Sequence, residues 1–311
     1  MTTAPNSPLR DDLFYLTEAG TETEVMYKHG HELPHFAMFT LLENPRAVDD
    51  ITAMYRRYLD VMAEAGTGAM ICGLDYRLSP DWAALLGHDA PALAEIQTRC
   101  IDLLKEVSAP YADRLPHIVI GGCVGPRGDA YGSGGTITAD EAEAYHMTQL
   151  AALKSAGADI ACAQTFNNIP EAIGVTRAAE RIGLPVAVYF SLDSKSRLNS
   201  GPSLREAVET TEAETGGSAA FYGLNCSHPV EFEPAIDDGD WMNRMRSVRP
   251  NASKMEKIAL CKLGHLEDGD PVELGQQMGA LHRRFPQMNV LGGCCGTDER
   301  HLREIARNVV G

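Results

Sequence analysis

Two adjacent cysteines set between glycines, in Leu291-Gly292-Gly293-Cys294-Cys295-Gly296-Thr297, are the residues of this chain best suited to chemistry. They follow the apolar run Asn289-Val290-Leu291, which reads as the end of a strand. Neighbouring side chains of a regular strand point to opposite faces, so two adjacent thiols reach one target only where the strand has stopped. Gly293 and Gly296 permit that bend, because glycine tolerates backbone angles that other residues resist. A third cysteine, Cys226 in Gly223-Leu224-Asn225-Cys226-Ser227-His228, closes a second apolar run, Ala219-Ala220-Phe221-Tyr222. Three thiolates at strand ends resemble a zinc site one ligand short of complete. Structural zinc takes four protein ligands, whereas catalytic zinc keeps a position open. The cysteine pair alone leaves two other readings, inert buried thiols and a redox-active pair, since it lacks the C-x-x-C spacing of structural zinc sites.

Positioning these thiols requires the elements upstream. Leu13-Phe14-Tyr15-Leu16-Thr17 reads as the first strand, and Asn44-Pro45 opens a helix to about Ala65 with apolar residues in a 3.6-residue rhythm. Strands then alternate with helices: strand 68–74, loop 75–91, helix 92–107, strand 117–121, a glycine-rich loop 121–135, helix 139–156, strand 158–163, helix 170–182, strand 185–190, helix 203–215, strand 219–224, helix 230–246, a weak strand 247–250, helix 271–284, strand 288–291 and helix 298–309. Eight strand–helix pairs without a composition break predict a single (β/α)8 barrel over residues 1–311, with about the first ten residues as a tail; an open doubly wound sheet is the alternative. In such a barrel the active site lies at the C-terminal ends of the strands, so Cys226 after strand six meets Cys294 and Cys295 after strand eight.

Composition narrows the partners. With 311 residues, 44% hydrophobic and 23% charged, the chain can bury a substantial core, and its net charge of −16 argues against nucleic acid and anionic membranes. No apolar run approaches membrane-spanning length and the N-terminus lacks a signal-peptide pattern, which predicts a cytoplasmic protein. Eight cysteines, several inside apolar runs (Cys72, Cys123, Cys162), fit a reducing compartment rather than a secreted disulfide framework.

The pattern Gly223-x-Asn225-Cys226 followed far downstream by Gly292-Gly293-Cys294-Cys295-Gly296-Thr297 resembles the zinc-dependent homocysteine S-methyltransferase family. Other pieces of the resemblance fall in order: Glu18 to Glu24, Leu41 to Pro45, Val124-Gly125-Pro126, Gly157-Ala158-Asp159 and Arg249-Pro250-Asn251-Ala252-Ser253. It runs from about residue 13 to 309 and implies Cys226, Cys294 and Cys295 as zinc ligands, homocysteine as the thiol acceptor with methionine as product, and a small onium methyl donor such as S-methylmethionine, S-adenosylmethionine or betaine. Two positions depart from the family pattern. Glu18-Ala19-Gly20 stands where Asp-Gly-Gly is usual, and Gln164 stands where a glutamate is usual. The resemblance associates those two acids with the amino end of homocysteine. Glu18 keeps the charge on a longer stem and Gln164 loses it, which opens a second reading with another small thiol or selenol as acceptor.

Sulfur attacks a methyl group as thiolate, and a free thiol with a pKa of about 8.5 is mostly protonated at neutral pH. A coordinating zinc ion removes that proton outright, so no further general base is expected. Glu18, Gly20, Tyr76, Gln164, Asn225 and Asn251 are the candidate substrate-binding residues, Tyr76 because an aromatic face suits an onium ion. His228 is a candidate partner of the metal ligands. His29, His31 and His35 read as surface loop histidines. A third reading is a non-catalytic zinc or redox-sensing barrel in which Cys294 and Cys295 oxidise. The chain lacks the Asp-x-His-x-x-Gly segment of cobalamin-binding modules, so a diffusing methyl donor is expected.

Overall fold

Eight short parallel strands close into a barrel in strict sequence order: β1 (Tyr15–Thr17), β2 (Gly68–Ile71), β3 (Ile118–Val124), β4 (Ile160–Phe166), β5 (Val186–Phe190), β6 (Phe221–Asn225), β7 (Met245–Arg249) and β8 (Val290–Leu291). This computed structural model describes residues 7–132 and 137–311. Closure runs through Tyr15↔Val290 between β1 and β8 and Ser247↔Val290 between β7 and β8.

The strands are buried on both faces, which is why they appear in the sequence as apolar runs rather than as alternations. Tyr15, Met70, Val119, Ile160, Tyr189, Phe221 and Val290 fill the barrel, together with Cys72, Cys123 and Cys162. Their sequence neighbours, among them Leu16, Ala69, Ile71, Ala161 and Val188, face the surrounding helices. Leu9, within the expected N-terminal tail, is buried in the interior cluster, while residues 1–6 lie outside the described residues.

The principal outer helices are α2 (Pro45–Ala65), α4 (Ala90–Ser108), α5 (Ala139–Ala156), α6 (Ile169–Ile182), α7 (Leu204–Thr215), α10 (Pro271–Arg284) and α11 (Glu299–Val309). They start and stop where side chains cap them. Asn44, Thr138, Asn168, Ser203, Asp270 and Asp298 accept from first-turn amides, and Gly66, Gly157, Gly183 and Gly216 end four of these helices in the left-handed conformation.

The expected helix 230–246 is not one element. It breaks into α8 (Pro229–Phe232) and 3-10 turns at Glu233–Ala235 and Asp240–Arg244, and β7 begins at Met245 rather than 247. Pro234 has no amide hydrogen to continue a helix, and the Asp237 carboxylate ties up the Gly239 amide and the Trp241 indole in a local turn. The glycine-rich loop also starts later than expected, because β3 runs to Val124; residues 133–136 of that loop lie outside the described residues. Short helices missing from the periodicity, α1 (Thr21–Tyr27), α3 (Pro80–Leu85) and α9 (Lys257–Cys261), all belong to loops at the C-terminal rim.

Candidate metal centre and cavity

The rim loops after β6 and β8 carry the three cysteines. Cys226, 5% exposed, has φ 51°, a left-handed value that turns its side chain off the line of β6. The stretch after β8 is laced to its neighbours. Gly292 N–H donates to the Val248 carbonyl (3.2 Å), Gly293 N–H to that of Glu18 (3.3 Å), and Cys294 N–H to that of Pro250 (2.8 Å). Side chains at 292 or 293 would collide with Thr17 or Thr297, and Gly296 turns the chain with φ 82°. The bend expected at Gly293 and Gly296 is present, with the left-handed angle at Gly296.

Those constraints bring the sulfurs of Cys226, Cys294 and Cys295 within 4.8 Å of one another. Cys226 and Cys294 are in disulfide contact, Cα–Cα 5.4 Å, and Cys295 stands beside them as a free thiol. This pairing differs from the Cys294–Cys295 disulfide that the redox reading expects. Burial pushes the Cys295 thiol up to about 12, with the Glu22 carboxylate adding to the effect. Among the described residues this is the sole group of three or more potential ligands. The donor set fits zinc: three soft sulfurs on one side and a cavity on the other.

That cavity, about 320 Å³, is lined by the triad together with Glu22, Tyr76, Gln164, Asn225, Asn251 and Lys257, among others. Asn225 donates to Cys226 Sγ (3.6 Å) and accepts from the amide of Thr165 (2.8 Å), whose φ is 58°. Asn251 donates to the Cys226 carbonyl (3.2 Å), and its Oδ1 is buried without a partner. The Tyr76 hydroxyl meets that of Thr165 at 2.5 Å, and the Arg77 guanidinium stacks 4.8 Å from the Tyr76 ring.

Two expected substrate residues lie elsewhere. Glu18, 2% exposed, turns beneath the cavity floor to pair with Arg249 and accept from the Cys72 amide (3.0 Å). Gly20 packs so tightly under the Cys294 carbonyl that it serves close approach of two loops. Gln164 does line the cavity, and its amide donates to Cys72 Sγ at 3.5 Å.

His228 caps α8, accepting from Val230 N–H at 3.3 Å. Of the three loop histidines, His31 bonds Asp50 (2.8 Å) and His29 stacks on His31, while His35 stands apart against Trp82. Glu22 and Lys257 were not legible as site residues. Glu22 is one acid of three in its segment, and Lys257 belongs to a rim helix that the periodicity did not show.

A closed parallel barrel with a cavity at the C-terminal rim has the architecture of a barrel enzyme. The family model for homocysteine S-methyltransferases matches residues 16–309. The chain belongs to the homocysteine S-methyltransferase family and is a methyltransferase. It is 24% identical over 320 residues to a selenocysteine Se-methyltransferase of Brassica oleracea var. italica, covering 96% of this chain and 89% of that one. Identity to homocysteine S-methyltransferase 1 of Zea mays is 26% over 185 residues, 57% of this chain and 55% of the relative. The metallated form of the homocysteine methyltransferase MmuM from Escherichia coli superposes with TM-score 0.71 at 20% identity over 96% of each chain. Among the described residues no helix is long and apolar enough to cross a membrane.

Proposed function

We propose that this methyltransferase, with its three cysteines reduced, binds one zinc ion through Cys226, Cys294 and Cys295 and moves a methyl group from a small onium donor to the thiolate of homocysteine, giving methionine. The convergence of the three sulfurs within 4.8 Å at the cavity wall, in a chain of this family, carries the reading. Zinc bound there would hold the acceptor's sulfur as thiolate at neutral pH, which a thiol of ordinary pKa is not.

The chain's own groups do the rest. Asn225 points an amide at Cys226 Sγ and so spreads charge from that sulfur. The unpartnered Asn251 Oδ1 offers an acceptor to a substrate N–H. Tyr76 presents a ring for a positively charged methyl donor. In the transfer, the acceptor sulfur forms a bond to the methyl carbon as the donor's heteroatom leaves with the old bonding pair, and the thiol's proton is lost to solvent. Charge disappears from both partners, so a cavity that excludes water favours the step.

A selenol acceptor is the second reading. It rests on Gln164 and on the relative named selenocysteine Se-methyltransferase. Incubating reduced, zinc-loaded protein with homocysteine or selenocysteine and a set of onium donors, with products identified by mass, tests both. Methionine formed over many turnovers supports the first reading, whereas methylselenocysteine alone moves the acceptor to the second. Absence of any methylated product overturns both.

A further inference from the structure

The cavity holds two opposite charges that the protein itself leaves unmatched. Glu18, Glu22 and Glu24 sit close together in sequence, yet only the outer two have cations: Glu18 pairs with Arg249 and Glu24 with Arg57. Glu22 is half-buried in the cavity wall. Its polar contact is the Thr21 hydroxyl at 2.9 Å, and among the described residues it makes no ion pair. Burial holds its carboxyl above the ordinary range.

Lys257, 6% exposed, is the mirror case. Its ammonium donates to Ser191 Oγ (2.9 Å), Ser227 Oγ (3.1 Å) and the Leu192 carbonyl, all neutral, and it too makes no ion pair among the described residues. A buried charge without a counter-charge costs stability, so two such groups of opposite sign facing one cavity point to a ligand that carries both complements. Both line the same cavity as Cys226, Cys294 and Cys295.

We propose that Glu22 and Lys257 clamp the zwitterionic end of an α-amino-acid acceptor, Glu22 receiving its ammonium and Lys257 its carboxylate. The inference rests on the reading that the acceptor's sulfur meets the three cysteines. It assigns the ammonium to a residue four positions beyond Glu18, whose charge Arg249 has neutralised, and not to Gln164, which has none. Because the head of the acceptor sits only a few bonds from its sulfur, charges on the wall of the cavity that the three cysteines line suit the acceptor. The onium donor has the face of Tyr76. The clamp makes the enzyme selective for amino-acid thiols or selenols over simple ones.

Three thiols of the same length test this: homocysteine, 4-sulfanylbutanoate without the ammonium, and 3-aminopropane-1-thiol without the carboxylate. Binding of each to reduced, zinc-loaded full-length protein is measured by calorimetry without donor, then turnover with one. A lost charged hydrogen bond is expected to weaken binding about 10–100-fold, so wild-type protein binds homocysteine at least about tenfold more tightly than either analogue. Glu22→Gln weakens homocysteine and leaves 4-sulfanylbutanoate unchanged. Lys257→Met weakens homocysteine and leaves 3-aminopropane-1-thiol unchanged, with Lys257→Arg recovering part of the loss.

Equal binding of all three thiols to wild-type protein overturns the clamp, and that arm needs no variant to fold. So does a variant effect confined to the donor's KM. Selective binding of homocysteine without any methyl transfer supports the clamp while contradicting the proposed function; methyl transfer with no selectivity among the thiols does the reverse.

Discussion

Glu18 and Arg249, 231 residues apart, form a buried ion pair that ties the end of β1 to the end of β7 beside the loop that carries Cys294. Both side chains are at most 4% exposed. Arg249 also donates to the carbonyl of Gly293 (3.4 Å) and to Cys72 Sγ (3.4 Å), so one guanidinium braces the loop that carries Cys294. Removing either partner strands the other charge. Arg249→Met is expected to cost about 3–5 kcal/mol in denaturant unfolding of the metal-free protein, and the double variant Glu18→Gln, Arg249→Met appreciably less.

The turn at Gly296 supports the metal centre. Alanine there would need a left-handed backbone and would press on the Glu267 carbonyl. Gly296→Ala should lower stability by about 1–3 kcal/mol and weaken zinc binding, read by competition with a chromogenic chelator. Unchanged zinc affinity would mean that Cys295 keeps its place without the turn.

Stability should depend on pH through Asp75. Its carboxyl is buried in the turn after β2, accepting from Cys123 N–H (2.9 Å) and Gln97 (2.6 Å), and burial raises it to about 7. The folded state therefore holds this proton more tightly than the unfolded chain, whose aspartate titrates near 3.9. The stabilisation is complete below about pH 4 and is lost as pH rises towards 7. Asp75→Asn should flatten the fall of the unfolding midpoint between pH 5 and 7; an unaltered slope would assign it to other groups.

Tyr76 should act on the donor. Tyr76→Leu is expected to raise the KM of an onium donor about 3–30-fold, the worth of a cation–π contact, with the KM of the acceptor little changed. Tyr76→Phe keeps the ring and should keep most of the donor affinity. A comparable loss in Phe would shift the role to the hydroxyl that meets Thr165.

How much of this was legible in the sequence depends on range. The barrel was readable because each parallel strand is buried on both faces and shows as an apolar run, and because Gly–Cys–Cys–Gly after a strand leaves little freedom for the thiols. Helix 230–246 was misread because its apolar spacing outweighed Pro234 and the aspartate turn at 237–239. Glu18 reads as a substrate residue through the family resemblance, and nothing local in the sequence reveals its partner on β7. Whether Glu22 or Glu18 is the unmatched acid is decided by Arg249, which lies six strands later in the chain. Tertiary pairing of that kind has no periodic signal.

The account stands or falls on what holds the acceptor's sulfur. Zinc-edge X-ray absorption of the reduced protein, before and after homocysteine, measures this directly. Three sulfur neighbours at about 2.3 Å, rising to four when homocysteine is added and falling to two in Cys294→Ser, is the predicted result. Zinc bound with fewer than three sulfurs, or a sulfur count that homocysteine leaves unchanged, would contradict the assignment of Cys226, Cys294 and Cys295 as an open, thiol-activating site.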